Sequence, residues 1–124
     1  MQRLLVVDDE AGVREGMKRY LERRGYVVDC AARVSEAMAF LAKVRYAAVI
    51  TDLQLSAGEA AEGLAVAVEA RRLCSAARII LLTGHSSDAL SVVARRLGVD
   101  ALVHKPRPLR EIEGIIHALV GDAA

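Results

Sequence analysis

The sequence predicts a doubly wound α/β domain in which a five-stranded parallel sheet lies between two layers of helices. Short aliphatic runs alternate five times with longer segments of helical period. The runs stay aliphatic instead of alternating with polar residues, which is typical of strands buried on both faces of a sheet. Because a helix follows every strand, right-handed crossovers are expected to keep the strands parallel.

The elements can be assigned in chain order. Aliphatic runs predict strands at residues 4–7, 47–51, 79–82 and 101–104, and a shorter strand is predicted at 26–30. Apolar stripes predict four amphipathic helices, with a less amphipathic helix at 64–74. The stripes are Val13, Met17, Tyr20, Leu21 and Arg24; Val34, Ala37, Met38, Leu41 and Val44; Leu90, Val93, Ala94 and Leu97; and Leu109, Ile112, Ile116, Leu119 and Val120. Gly25 and Gly98 are predicted to end the first and fourth helices.

Length and composition favour one cytoplasmic domain over residues 1–124. Apolar residues make up 54% of the chain, with only three tyrosines and one phenylalanine, so aliphatic side chains must form the core. The net charge of +1, without a basic block, argues against nucleic acid as a direct partner. No signal peptide or membrane-spanning run is recognisable. Cys30 and Cys74 are expected to be small buried apolar residues, because their spacing suits neither a CxxC motif nor a metal site.

Chemically reactive side chains follow four of the predicted strands. Asp8 and Asp9 follow the first strand, Asp52 the third, Thr83 the fourth and Lys105 the fifth. In doubly wound sheets, the binding crevice lies beyond the carboxyl ends of the strands. We therefore expect three carboxylates, one hydroxyl and one ammonium group to meet at a single edge of the sheet.

Such a cluster has a defined chemistry. Three neighbouring carboxylates repel each other, so either their pKa values rise or a hard cation such as Mg²⁺ lies among them. Ammonium and hydroxyl groups suit the charge of a transferring phosphoryl group, and a carboxylate can act as its nucleophile. Each residue alone is more often an ordinary cap, turn or strand exit, so the functional interpretation rests on their coincidence.

Four motifs resemble those of the receiver domain of bacterial two-component response regulators. They are Val-Asp-Asp-Glu, Thr-Asp-Leu, Leu-Thr-Gly and His-Lys-Pro, at the ends of the first, third, fourth and fifth strands. The resemblance covers the whole chain and implies a flavodoxin-like three-layer sandwich with strand order 2-1-3-4-5. It also implies partners: a sensor histidine kinase or histidine phosphotransfer protein as donor, and a downstream effector or output domain. No membrane partner is implied.

The resemblance implies a role for each residue of the cluster. Asp52 matches the phosphoacceptor, Thr83 the switch hydroxyl that moves toward the phosphoryl oxygen, and Lys105 the lysine that pairs with the phosphoryl group. The Lys105–Pro106 peptide bond is expected to be cis. A protein of this kind is not an enzyme in the ordinary sense, because it catalyses only its own phosphorylation and dephosphorylation.

The same resemblance implies a Mg²⁺ site. Asp9 matches the direct acidic ligand, and Asp8 matches the neighbour that acts through a metal-bound water. Asp52 and the backbone carbonyl of Gln54 match further ligands. Gln54 and His85 also occupy the positions that tune phosphoryl lifetime, although His85 is equally compatible with a plain exposed loop residue.

Several positions depart from the family pattern. Leu102 stands where an aromatic residue is common, Ser56 where proline is usual, and Arg107 where phenylalanine is common. Residues 56–63 therefore predict a longer and freer loop, and Leu102 has no ring to couple phosphorylation to the neighbouring face. These departures motivate an alternative, a phosphorylation-independent interaction module with the same fold. An aspartyl phosphatase is disfavoured, because Gln54 stands where such enzymes need a second aspartate.

Overall fold

The computed structural model describes residues 1–55, 61–85 and 87–123. In it, strands and helices alternate as the sequence predicted. The strands are β1 Arg3–Val7, β2 Val27–Ala31, β3 Ala48–Asp52, β4 Arg78–Thr83 and β5 Ala101–His104. The helices are α1 Ala11–Arg23, α2 Val34–Lys43, α3 Ala61–Leu73, α4 Asp88–Arg96 and α5 Leu109–Val120. Gly25 (φ 99°) and Gly98 (φ 85°) follow α1 and α4 in the left-handed conformation that glycine favours at helix ends.

The strands form one parallel sheet with the order β2-β1-β3-β4-β5, which confirms the predicted fold class. The register keeps the carboxyl ends of β1, β3, β4 and β5 level: Val7 pairs with Thr51, Asp52 with Leu82, and Thr83 with His104. The residues that follow these strands are consequently brought to one edge, which we call the carboxyl edge of the sheet.

The core lies on both faces of the sheet. Helices α1 and α5 cover one face, with Met17, Leu21, Ile112 and Ile116 packed on alternate residues of the central strands. On the other face, α2 and α3 contribute Ala37, Leu41, Val66, Ala67 and Ala70, and α4 contributes Ala94. All five residues of β3 are buried, as the continuous apolar run predicted. The sheet is thus a rigid platform for its carboxyl edge.

A few predicted details are wrong. The second strand occupies 27–31, because Tyr26 is buried directly before it instead of pairing in it. Val93, placed on the apolar stripe of α4, is 43% exposed, since α4 contacts the sheet mainly through Ala94. Cys30 and Cys74 are free thiols, as expected, but are only half-buried. Helix α3 begins at Ala61, so part of the predicted loop is helical; its remainder, 56–60 with Ser56, lies outside the described residues.

None of the helices in the described part of the chain is long and apolar enough to cross a membrane.

Candidate functional site

The turn after β1 carries the first two acids. Asp8 is buried, and its backbone amide donates to Ala31 O (3.1 Å), which extends the β1–β2 pairing by one residue. The Asp8 carboxylate accepts a hydrogen bond from the Glu10 amide through Oδ1 (2.9 Å). Asp9 is exposed beside it. The turn therefore points one acid into the protein and leaves the other open to solvent.

Asp52 ends β3 and is 9% exposed. Its Oδ1 accepts a hydrogen bond from the backbone amide of Gln54 (3.3 Å). The backbone amide of Leu53, the residue that follows Asp52, donates to Leu82 O on β4 (2.8 Å). Helix α3 is tied to the same place, because the Gly63 amide donates to Leu53 O (3.0 Å). Bonds to a strand and a helix thus fix the backbone on which the Asp52 carboxylate is carried.

Lys105 joins the acids from the far side of the carboxyl edge. Its Nζ donates to Asp52 Oδ2 (3.0 Å) and lies 3.8 Å from Asp8 Oδ2. Its backbone amide donates to Thr83 O (2.7 Å), and the Lys105–Pro106 bond is cis, as expected from the resemblance. Residues far apart in sequence therefore form one charged cluster.

The carboxylates of Asp8, Asp9 and Asp52 are close enough to share a cation. Each contributes one oxygen to a group in which all oxygens lie within 4.8 Å of one another. Asp8 Oδ2 is buried and accepts no hydrogen bond within the described chain. A buried carboxylate oxygen without a donor is costly unless a cation or a metal-bound water satisfies it. Hard divalent cations prefer oxygen ligands of this kind, so the residues present fit Mg²⁺.

The electrostatics of the cluster agree with that conclusion. Burial raises the pKa of the Asp8 carboxyl, the Glu10 amide partly opposes this, and the negative charge of Asp52 raises it further. Burial by itself lowers the pKa of the Lys105 ammonium, but the hydrogen bond to Asp52 and the charges of Asp52 and Asp8 raise it overall. Lys105 is therefore firmly charged, and its positive charge partly balances the negative charge of the acids.

Thr83 lies at the same edge, but its hydroxyl is bonded to its own turn. Thr83 Oγ1 donates to His85 O (2.7 Å) and accepts from the His85 amide (3.0 Å). The side chain is buried, while His85 itself is exposed. Both hydrogen-bonding functions of this hydroxyl are therefore occupied by a local turn of the kind that Ser and Thr commonly form. Contact with a group on Asp52 would require exchanging these bonds.

Gln54 and Leu102 are the remaining predicted positions of interest. Gln54 is exposed, and its amide contacts Asp52; its proposed ligand role through the carbonyl stays a prediction. Leu102 is half-buried on β5 and packs beside the small cluster of Leu53, Leu81 and Ala94, between β4 and α4. An aliphatic side chain therefore occupies the position that resemblance associates with a movable ring.

Two contacts at the site were not predicted from the sequence. Arg14, one turn into α1, donates from Nη1 to the backbone carbonyl of Asp8 (2.8 Å). Gly63 approaches the backbone after β3 so closely that an added Cβ would lie nearer than 3.0 Å to Asp52 O and to Leu53. The only sequence signals were a basic residue in the first turn of α1 and a glycine near the start of α3. Neither signal specifies its contact partner.

Comparison with known proteins gives one consistent result. A family model described as "Response regulator receiver domain" matches residues 4–117. The transcriptional regulatory protein ResD of Bacillus subtilis is 33% identical over 122 residues, which cover 98% of this chain and 49% of ResD. The photosynthetic apparatus regulatory protein RegA of Cereibacter sphaeroides is 32% identical over 94% of this chain and 60% of RegA. The chain thus spans about half to three fifths of the length of these relatives.

Solved structures agree in fold. A response regulator from Burkholderia pseudomallei, solved with a phosphorylated aspartic acid, a calcium ion and citrate, superposes with a TM-score of 0.84. It is 33% identical, and the match covers 96% of this chain and 66% of that one. A CheY-like receiver domain protein from Methanospirillum hungatei is 30% identical with the same TM-score, over 96% of this chain and 94% of that one.

Proposed function

The chain belongs to the response regulator receiver domain family of two-component signal transduction, and on that premise we propose that Asp52 is its phosphoacceptor in a Mg²⁺-dependent reaction. The observation that carries this proposal is the 3.0 Å contact between Lys105 Nζ and Asp52 Oδ2, inside a cluster of three acids. The Burkholderia pseudomallei relative, whose structure contains a phosphorylated aspartic acid and a calcium ion, supports it.

The proposed reaction is an in-line displacement at phosphorus. An oxygen of the Asp52 carboxylate attacks the phosphorus of a phosphohistidine, so that an O–P bond forms while the N–P bond breaks and its electron pair returns to the imidazole. Lys105 stays within reach of the new phosphoryl oxygens, because its ammonium is anchored between Asp52 and Asp8. Its charge offsets the negative charge that the reaction brings to this edge.

The metal site of the proposal uses the carboxylates of Asp8, Asp9 and Asp52, with the Gln54 carbonyl as a further ligand. Asp8 Oδ2, buried and without a hydrogen-bond donor in the described chain, supports this assignment. Bound Mg²⁺ supplies positive charge for the phosphoryl oxygens and lessens the repulsion between the acids.

The donor is proposed to be a sensor histidine kinase or a histidine phosphotransfer protein, and the receiving partner an effector or an output domain. Phosphorylation would change partner binding once the Thr83 hydroxyl exchanges its two bonds to His85 for the phosphoryl group. Relatives such as ResD are regulators about twice as long as this chain, so the activity of a whole protein of that kind is part of the proposal.

Mass spectrometry tests the acceptor directly. The protein is incubated with Mg²⁺ and acetyl phosphate, and we expect the intact mass of the wild type to increase by one phosphoryl group. Asp52→Asn should remain unmodified, while Asp122→Asn, an exposed acid at the opposite end of the sheet, should be labelled like the wild type. An unlabelled wild type, under conditions that label a known receiver, would contradict the proposal.

A second candidate function is a phosphorylation-independent interaction module. The observation that favours it is Leu102, which has no ring to transmit a change at Asp52. Partner binding, measured with and without a beryllium fluoride complex as phosphoryl mimic, separates the two candidates. Equal affinity in both states favours the module, whereas a difference that disappears in Asp52→Asn favours the switch.

A further inference from the structure

A groove of about 270 Å³ opens beside the acidic cluster, between the first two turns of α1 and the start of α5. Asp52 faces the same side of the sheet, because Ala48 and Ile50, at alternate positions of β3, pack in the core beneath α1 and α5. Leu82, at the floor of the groove, pairs with Asp52 across strands that lie about 4.8 Å apart. Lys105 lines the groove, and its Nζ donates to Asp52 Oδ2 (3.0 Å). The groove therefore adjoins the proposed phosphoryl site, and Lys105 belongs to both.

The accessible surface of this groove is mainly apolar. Half-buried Val13 and Leu109 and exposed Pro106 contribute side-chain carbon to it, whereas Leu82 is buried beneath them. Covering such surface with a ligand is favourable in proportion to the apolar area removed from water. Small-molecule sites commonly measure about 300–1,000 Å³, so a groove of this size suits a short aliphatic chain.

Two glycines keep the groove open on the side of α1. Gly12 and Gly16 lie about one helical turn apart, and both line the groove. An added Cβ at either position would meet no atom of the described chain within 4 Å, and neither glycine has a positive φ. Glycine weakens a helix relative to alanine, so neither packing nor backbone geometry accounts for this pair. The space that the two glycines leave does account for it.

A cation without an ionic partner stands at the same groove. Arg107 lines it, is exposed, and forms no ion pair with another described residue. Lys105, in contrast, is already paired with Asp52 and Asp8. The groove therefore combines accessible apolar surface with one positive charge that is available to an anion beside the phosphoryl site.

We propose that this groove binds the aliphatic chain of an acyl phosphate that donates its phosphoryl group to Asp52, so that donors with a longer apolar chain react faster than acetyl phosphate. The proposal rests on the acceptor role proposed for Asp52. The Asp52 carboxylate attacks phosphorus and forms an O–P bond, while the bond from phosphorus to the acyl oxygen breaks and its electron pair stays on that oxygen. No proton is transferred. The released carboxylate lies near Arg107, which stabilises its charge, while its chain stays against Val13, Pro106 and Leu109.

Labelling rates with a series of donors test the preference. The full 124-residue chain is incubated with Mg²⁺ and a low concentration of acetyl, butanoyl or hexanoyl phosphate, and intact mass spectrometry follows the phosphorylated fraction. The mass also distinguishes a phosphoryl group from an acyl group transferred to a lysine. We expect the rate to increase by about tenfold from acetyl to hexanoyl phosphate, because each methylene group buried against apolar surface strengthens binding. Equal rates with all three donors would overturn the proposal.

Filling the groove should remove the preference. Gly16→Leu adds a side chain where a Cβ has open space, so the fold should be retained, and the ratio of the hexanoyl rate to the acetyl rate should fall to about 1–2. Gly114→Leu is the matched control, because Gly114 is also a helical glycine with open space but lies exposed on α5 outside the groove lining. This control should keep the wild-type ratio. A ratio that falls equally in both variants, or in neither, would overturn the proposal.

An unreactive analogue tests binding in the groove without phosphoryl transfer. In 2-oxoheptylphosphonate, a methylene group replaces the bridging oxygen of hexanoyl phosphate. In an NMR titration of the wild type with Mg²⁺, we expect saturable shifts of backbone amides within 12–17 and 105–112. We also expect about tenfold weaker binding of 2-oxopropylphosphonate, which has the short chain of acetyl phosphate. Equal affinity of the two analogues would overturn the proposal, as would groove shifts that appear on raising the protein concentration alone and so assign the groove to a second copy of the chain.

Failure of this proposal is distinguishable from failure of the acceptor role. Equal labelling of Asp52 by acetyl and hexanoyl phosphate would overturn the chain preference alone. Absence of label with every donor, together with binding of the longer analogue at the groove, would overturn the acceptor role of Asp52 and retain the assignment of the groove.

Discussion

Asp8 shows how one residue can lower stability in order to form a site. Its carboxylate is buried next to Asp52, its Oδ2 lacks a hydrogen-bond donor in the described chain, and burial raises its pKa. Lys105, at 3.8 Å, only partly balances this charge because it is closer to Asp52. The metal-free cluster is therefore under electrostatic strain that a bound cation would relieve.

Replacing that charge should reveal the strain. We expect Asp8→Asn to raise the free energy of unfolding of the metal-free protein by about 1 kcal/mol, because the neutral amide keeps the acceptor for the Glu10 amide and removes the repulsion. Urea unfolding in EDTA measures this, and added Mg²⁺ should stabilise the wild type more than the variant. Asp88→Asn, on exposed α4, is the control. A variant that is less stable in EDTA would refute the strain.

Arg14 is expected to position the turn that carries Asp8. Its guanidinium holds the Asp8 carbonyl at 2.8 Å, so Arg14→Gln should loosen this turn and slow labelling by acetyl phosphate by up to about tenfold. Arg14→Lys should recover part of the rate, since the ammonium can still donate. The measurement is the labelling rate at several Mg²⁺ concentrations, with Arg19→Gln as the control. A change in thermal stability without a change in rate would assign Arg14 a merely structural role.

At the scale of elements, α3 fits closely against the end of β3. Gly63, in the first turn of α3, lies against the backbone of Asp52 and Leu53, and its amide bonds Leu53 O. A methyl group there would press on backbone atoms, which cannot rotate aside as a flexible side chain could. The start of α3 therefore fixes where the Asp52 carboxylate lies.

Alanine substitutions at two glycines, one at this contact and one away from it, test how close the contact is. Gly63→Ala should destabilise the protein by about 1–3 kcal/mol through overpacking and should also slow labelling of Asp52. Gly16→Ala is the matched control, because an added Cβ meets nothing within 4 Å in α1. Alanine there should stabilise the protein by about 0.5–1 kcal/mol through helix propensity. Thermal unfolding measures both, and equal effects in the two variants would exclude a close contact at Gly63.

The elements also show how far sequence reasoning extends. The continuous apolar runs sufficed to predict the sheet, and the rule that sites lie at the carboxyl ends of strands predicted that Asp9, Asp52 and Lys105 would meet. Contacts made by the end of a long side chain, such as Arg14 with the Asp8 carbonyl, depend on a packed geometry that spacing does not encode. Val93 illustrates the same limit: its spacing fits the stripe of α4, but a short helix with one buried alanine leaves it exposed.

At the scale of the whole molecule, Tyr46 connects the edge strand β2 to the segment that leads into the central strand β3. Its hydroxyl donates to Asp29 Oδ2 on β2 (2.7 Å), and its buried ring lies two residues before the start of β3. Burial, followed by the hydrogen bond to Asp29, raises the pKa of Tyr46 far above its ordinary value of 10.0. Above about pH 10, the unfolded chain therefore releases a proton that the folded chain retains, so the folded protein loses stability as the pH rises.

Alkaline unfolding of the whole domain tests this link. Tyr46→Phe should lower the free energy of unfolding at pH 7 by about 1 kcal/mol, because Asp29 loses its hydrogen bond. The same variant should lose less stability than the wild type between pH 9 and pH 11, roughly the range in which free tyrosine ionises. Urea unfolding across this range measures both effects, with Tyr20→Phe on α1 as the control. An unchanged alkaline slope would contradict the expected role of Tyr46.

The burial of Asp52 also limits which phosphoryl donors could reach its carboxylate. With only 9% of the residue accessible and its backbone held by β4 and α3, Asp52 cannot move outward to meet a partner in the proposed phosphoryl transfer. A small donor such as acetyl phosphate can enter the site, but a protein donor must carry its phosphorus on a group that projects beyond its own surface, as the imidazole of a histidine does. Steric reach would therefore exclude phosphate groups that are recessed in a protein surface before charge or sequence recognition could discriminate among protein donors.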